Sequence, residues 1–161
     1  MKTLFDNRTK VVFDEQIQLT TINEFGLHWH DLLAGKVTPP PQGARFDLLF
    51  EGALTGSDLA GHIEGVDYLE VRADGRFMLN IYATVITDDN EAIALHEDGI
   101  AVPTEDNKAN LQLNLKFTTN SEKYSWLNKT QVWGIGQVDL ITGKISVRAY
   151  TGDFIEINET V

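Results

Sequence analysis

The run Gly65-Val66-Asp67-Tyr68-Leu69-Glu70-Val71-Arg72-Ala73-Asp74-Gly75-Arg76 decides the fold. It begins as an alternating strand, turns at Asp74-Gly75, and opens a second strand. Asp-Gly between alternating segments is a strong hairpin signal, because its backbone twist suits the twist of the flanking strands. The second strand runs from Phe77 to Thr87. Phe77, Leu79, Ile81, Ala83 and Val85 fall on one side, and Met78, Asn80, Tyr82 and Thr84 on the other. Asp74 itself belongs to turn chemistry.

The pattern repeats outward in both directions. Arg45 to Phe50 places Phe46, Leu48 and Phe50 on one face and Arg45, Asp47 and Leu49 on the other. Leu59 to Arg72 is interrupted by Gly61 and Gly65, where bulges or bends that curve a sheet are expected. Asp88-Asp89-Asn90 makes a turn, Ala92 to Leu95 a short strand, and Pro103 to Lys108 a polar loop. Asn110 to Thr119 alternates most cleanly, with Leu111, Leu113, Leu115 and Phe117 in one phase. A helical turn follows at Ser121 to Asn128. Thr130 to Leu140 and Ile145 to Tyr150 form a hairpin through Thr142-Gly143, and Phe154 to Ile157 a last short strand. Short strands joined by hairpins, without long crossovers, predict an all-β protein: a closed antiparallel up-and-down barrel.

The N-terminal side reads differently. Lys10 to Ile22 alternates loosely, with Ile17 and Leu19 on one face. Asn23 to Leu33 carries Phe25, Trp29, Leu32 and Leu33 at helical spacing, with Gly35 placed for a C-terminal cap. Pro39-Pro40-Pro41 then favours an extended connector. This divides one domain into an N-terminal arm, 1–42, and a barrel body, 43–161.

Lys plus Arg is 13 against 24 for Asp plus Glu, a net charge of −11. A field of that sign repels phosphate backbones and anionic membrane surfaces, so neither nucleic acid nor membrane is an expected partner. With no cysteine, disulfides, thiolate nucleophiles and Cys-ligated zinc are excluded. The N-terminus turns polar at once, unlike a secretory signal, and no apolar run is long enough to span a membrane. A cytoplasmic location is expected. His28 and His30 flank Trp29, but no HExxH-like spacing accompanies them, so no metal is expected. Gly52, Gly56, Gly61 and Gly65 lack the strand-glycine-helix context of a nucleotide loop, and no cofactor is expected.

The body resembles the domain of unknown function 3237 family. The resemblance is carried in order by Gly43-Ala44-Arg45, Gly52, Gly56 and Gly61, Gly65-Val66-Asp67-Tyr68, and Arg72-Ala73-Asp74-Gly75. It continues through Thr87-Asp88-Asp89, Phe117-Thr118-Thr119, Tyr124-Ser125-Trp126-Leu127-Asn128, Gly134 with Gly136, and Tyr150. Asn90 stands where the family usually has Gly; Asn also tolerates the left-handed turn conformation. The loop from Pro103 to Asn110 and the longer N-terminal arm also depart from the family pattern. The resemblance implies a calycin-like closed barrel and carries no activity.

Tyr124, Trp126 and Asn128, with Trp133 one strand step on, form an aromatic and polar group for one barrel end. They either stack on a flat ligand or plug the barrel. Arg45 and Asp67 on strands, and Tyr82, complete the expected ligand-binding set, with Asp67 the acid–base candidate. Three functions follow. The first is a barrel binding a small, largely apolar or cyclic molecule. The second is a cofactor-independent isomerase, cyclase or hydrolase using the same pocket, with Asp67 or Tyr124 moving a proton and Arg45 steadying charge. The third is an assembly protein, its arm packing on a second chain as a homodimer or capping the barrel.

Overall fold

The computed structural model describes residues 9–152. Eight antiparallel strands close in sequence order: β1 Thr9–Glu24, β2 Ala44–Thr55, β3 Gly61–Val71, β4 Phe77–Thr87, β5 Ala92–Pro103, β6 Lys108–Thr118, β7 Val132–Asp139 and β8 Lys144–Gly152. β1 pairs with both β2 and β8, and that double pairing removes every sheet edge. The closed up-and-down barrel expected from the alternation is the fold. The segment 154–157 lies outside the described residues.

Alternation sets the wall. On β4 every second side chain from Phe77 to Val85 is buried, and on β6 those from Ala109 to Phe117. The outward phase of β6 is Asn110, Gln112, Asn114, Lys116 and Thr118. An apolar inside and polar outside is the inverse of a lipid-facing barrel. No helix among the described residues is long and apolar enough to cross a membrane.

Four expectations need correction. First, the division at the triple proline does not separate arm from barrel, because β1 is a full barrel strand. Only the segment between β1 and β2 stands apart. Second, the expected helix Asn23–Leu33 shrinks to α1, Trp29–Leu33. Asn23 and Glu24 still belong to β1, and Gly26, at φ +89°, breaks the backbone between them. Gly35, at φ +70°, does end the helix. Third, Gly61 and Gly65 are not bulges. β3 pairs with β2 without a register shift; the shifts lie in β1, between Val11 and Phe13 and between Leu19 and Thr21. The first of these turns both Val12 and Phe13 inward. Gly65 instead lets β4 approach, for a Cβ there would lie 2.7 Å from Ala83 Cβ. The strand expected at Ala92–Leu95 also runs on to Pro103.

The barrel has two unlike ends. At one, α1 lays Trp29 over the opening. Trp29 is buried, edge-on to Phe46 at 5.0 Å, and its backbone N–H donates to the Glu24 carboxylate at 2.5 Å. Leu27, Leu32 and Leu33 also pack on the core, and of the four apolar arm residues only Phe25 is exposed. These side chains cap their own barrel. At the other end a 3-10 turn, Ser125–Lys129, drives Leu127 into the core beside Val132. Phe13 meets Phe117 edge-on at 6.0 Å just inside. This end is filled.

Candidate functional site

Strand phase carries three acids inside. Asp67 alternates with Leu69 and Val71 on β3, Glu15 with Phe13 and Ile17 on β1, and Glu97 with Ile93 and Leu95 on β5. Asp67 is 6% exposed, Glu15 1% and Glu97 3%. Ile81 on β4 pairs with Asp67 on one side and with Glu97 on the other. Two strand spacings therefore separate those backbones, about 10 Å, within reach of two side chains pointing into one lumen.

The acids line a cavity between the filled end and the Trp29 cap. The lining is otherwise aliphatic and aromatic, including Leu48, Phe50, Phe77, Leu111 and Val147. All empty space between the lining atoms, mouth included, is about 640 Å³, but the part that the centre of a water molecule reaches is about 60 Å³. The smaller figure governs what fits: a few waters or a small molecule.

Burial decides the state of these carboxyls, since a low-dielectric site disfavours the charged form. It raises Glu15 to about 8. Asp67 rises to about 7, through burial first; an N–H bond opposes the rise, and the charge of Asp47 adds to it. The opposing bond comes from the Asn80 backbone N–H, which donates to Asp67 Oδ1 at 3.0 Å where the β3–β4 pairing lapses. Glu97 is pushed well above the carboxylate range by burial and then by the charges of Glu15 and Asp67. Glu15 Oε1 has no hydrogen-bond partner. Near neutral pH Asp67 thus stands close to its midpoint, while burial favours the protonated forms of Glu15 and Glu97.

The other expected site residues are dispersed. Arg45 lies on the outer wall, its Nε donating to Asp47 Oδ1 at 2.9 Å and its guanidinium over Phe25 and Tyr68. Tyr82 is also outside, 54% exposed and stacked on His96 at 4.6 Å. Trp133 faces outward from β7, 45% exposed. One strand position moves a side chain to the opposite face, so these three belong to the phase that misses the lumen. Tyr124 is buried in the filled end, its hydroxyl donating to Asp89 Oδ1 at 2.7 Å. Asn128 clasps the chain there: Oδ1 accepts from Thr119 N–H at 2.8 Å, and Nδ2 donates to Thr119 O at 2.9 Å. Trp126 edges an open surface cleft with Tyr124, Lys123 and Asp88. The aromatic run is therefore the plug, at the end opposite the cap.

Asp67 alone of the expected residues reaches the cavity, and Glu15 and Glu97 were missed. Counting by twos from Ile17 to Glu15, and from Leu95 to Glu97, is the signal that finds them.

The family described as "Protein of unknown function (DUF3237)" matches residues 8–151. Among solved structures, a protein of unknown function from Clostridium acetobutylicum is similar at TM-score 0.74 and 18% identity, over 92% of this chain and 100% of that one. A beta-barrel like protein from Acinetobacter baumannii gives 0.73 and 20%, over 94% and 100%. A structure titled as an enzyme from Penicillium herquei gives 0.64 and 16%, over 95% and 99%. No curated protein matches. At these identities the likeness is one of fold.

Proposed function

This chain belongs to that family of proteins of unknown function, and we propose that it binds a small, largely apolar molecule in the barrel lumen, with a polar group docked on Glu15, Asp67 and Glu97. The observation that carries the reading is Glu15. It lines an apolar cavity with two further acids, and its Oε1 is buried with no hydrogen-bond partner. Such burial costs stability, and departures of that kind concentrate at functional sites. Entry is from the α1 end, where a five-residue helix and the Trp29 side chain separate the cavity from solvent. A ring-sized ligand needs that cap to move outward, a local opening that leaves the barrel pairing intact. A cysteine-free chain suits a reducing compartment such as the cytoplasm.

Thermal denaturation across a panel of small cyclic and aliphatic compounds, with native mass spectrometry, tests this. A ligand present at about 100 times its Kd stabilises by about 2.7 kcal/mol, raising Tm by about 5–10 °C. No shift and no retained compound across the panel overturns the reading.

A second reading is favoured by the same raised acids. In a cofactor-independent isomerase, cyclase or hydrolase, Asp67 would move the proton and Glu97 hold a second one. The Penicillium herquei protein titled as an enzyme shares the fold. Arg45 has no part in this version, being on the outer wall, and Tyr124 is held by Asp89. Turnover that is lost in Asp67→Asn with ligand binding retained marks the enzyme; binding with no turnover in the unmodified protein marks the binding protein.

A further inference from the structure

We infer that the lumen's ligand is a small hydrophobic amine, bound as its ammonium ion with Glu15 Oε1 as the contact and Asp67 and Glu97 as further countercharge. The inference rests on the lumen being a binding site.

The lining holds three acids and no Lys, Arg or His. β2, β4, β6, β7, β8 and α1 contribute no titratable side chain to it. Outside the lumen, Asp47 adds negative field behind Asp67 and is itself paired with Arg45. No wall residue supplies a countercharge; protons neutralise the acids at rest, and a cationic ligand takes the place of those protons. Ionised carboxylates accept hydrogen bonds and cannot donate them. Their complement is a donor, and a charged donor makes the stronger bond. Glu15 lines the cavity, and its Oε1 is a buried acceptor with nothing bonded to it. Trp29, Phe50 and Phe77 also line the cavity, and aromatic rings attract a cation at their faces.

A metal ion is the rival cation. It demands several oxygens closed round one point. Among the described residues, the only trio whose ligand atoms lie within 4.8 Å of one another is Glu51, His62 and Glu64, exposed on the outer wall. Glu15, Asp67 and Glu97 are spread further apart. They suit a cation with one direct contact, an apolar body against the rest of the wall, and two acids acting through their field. A neutral alcohol would leave the acids protonated and release no proton on binding.

Proton linkage gives the inference a signature. Burial holds Asp67 at about 7 and Glu15 at about 8. An ammonium ion favours the charged carboxylates and lowers both values. Binding near neutral pH releases protons, and affinity rises with pH until the amine itself deprotonates.

Isothermal titration of butylamine, cyclohexylamine and benzylamine, each beside the alcohol of the same skeleton, tests it on the full chain. Amines are expected to bind at least about 10-fold tighter than the alcohols, with tightening from about pH 6 to about pH 9. The heat of amine binding should depend on buffer ionisation, reporting the released proton. In Glu15→Gln the amine preference should fall to the level of the alcohols. Alcohols binding as well as amines, with no proton released, overturns the inference and leaves the lumen site standing. Neither series binding, while a neutral compound from the broader panel raises Tm, overturns it in the same way. No compound of any class binding overturns both.

Discussion

Replacing Asp67 by Asn removes one proton site from the lumen and keeps its shape. The amide oxygen still accepts from Asn80 N–H, so the hydrogen bond survives. The folded carboxyl titrates at about 7 against an ordinary 3.8. Its value is raised, so folded protein holds a proton that the unfolded chain releases. The wild type is therefore stabilised by this group fully below pH 3.8 and loses that stability as pH rises through 7. One pH unit is worth about 1.4 kcal/mol, so the loss totals about 4 kcal/mol across the window. Asp67→Asn does not titrate. Its stability relative to wild type should climb by about 4 kcal/mol between about pH 4 and pH 7 and level off above. At about 2–4 °C per kcal/mol, that is about 8–16 °C in Tm at the alkaline end. Urea unfolding at a series of pH values, followed by tryptophan fluorescence, measures the difference directly. Using the difference cancels the other carboxylates, such as Asp14 and Asp139, which shift in the opposite direction. A difference flat across the window would refute the reasoning: Asp67 would then be solvated, and the lumen open to bulk water.

Three further outcomes follow from the packing. Asn128→Ala removes both bonds to the Thr119 backbone and should cost about 1–3 kcal/mol in urea unfolding; an unchanged midpoint would leave the clasp without energetic weight. Gly65→Ala pushes a methyl against the Tyr82 carbonyl and Ala83 Cβ, and should cost about 1–3 kcal/mol, read as a lower Tm at unchanged strand content. Arg45→Ala on the outer wall should change stability by less than about 1 kcal/mol and leave every ligand-induced Tm shift intact. Ligand binding abolished by Arg45→Ala would contradict its placement.

Much of the wall was legible. Phe77 to Thr87 was bounded correctly from its alternation and the flanking turns, and β4 has those bounds. The Asp88-Asp89-Asn90 turn survives the missing glycine because Asn90 takes φ +67°. The site was harder to read for a specific reason. Glu15 sits among Asp14, Gln16 and Gln18, so a polar neighbourhood disguised an inward phase. The strand expected at Ala92 to Leu95 stops two residues before Glu97, so its acid was not counted. The aromatic run Tyr124 to Asn128 drew attention through side chains that suit a ligand equally well as a plug.

Strand phase, turn positions and the all-β class follow from the chain alone, because alternation and turn chemistry are local and operate over two to four residues. Which acids share a cavity is not local. Gln16 and Ser146, 130 positions apart in sequence, lie hydrogen-bonded at 2.9 Å only because β1 closes on β8. Register summed round eight strands sets Glu15, Asp67 and Glu97 facing one lumen, and a helix between β1 and β2 seals it. Their desolvation, and the chemistry that desolvation gives them, exists only once that ring is shut.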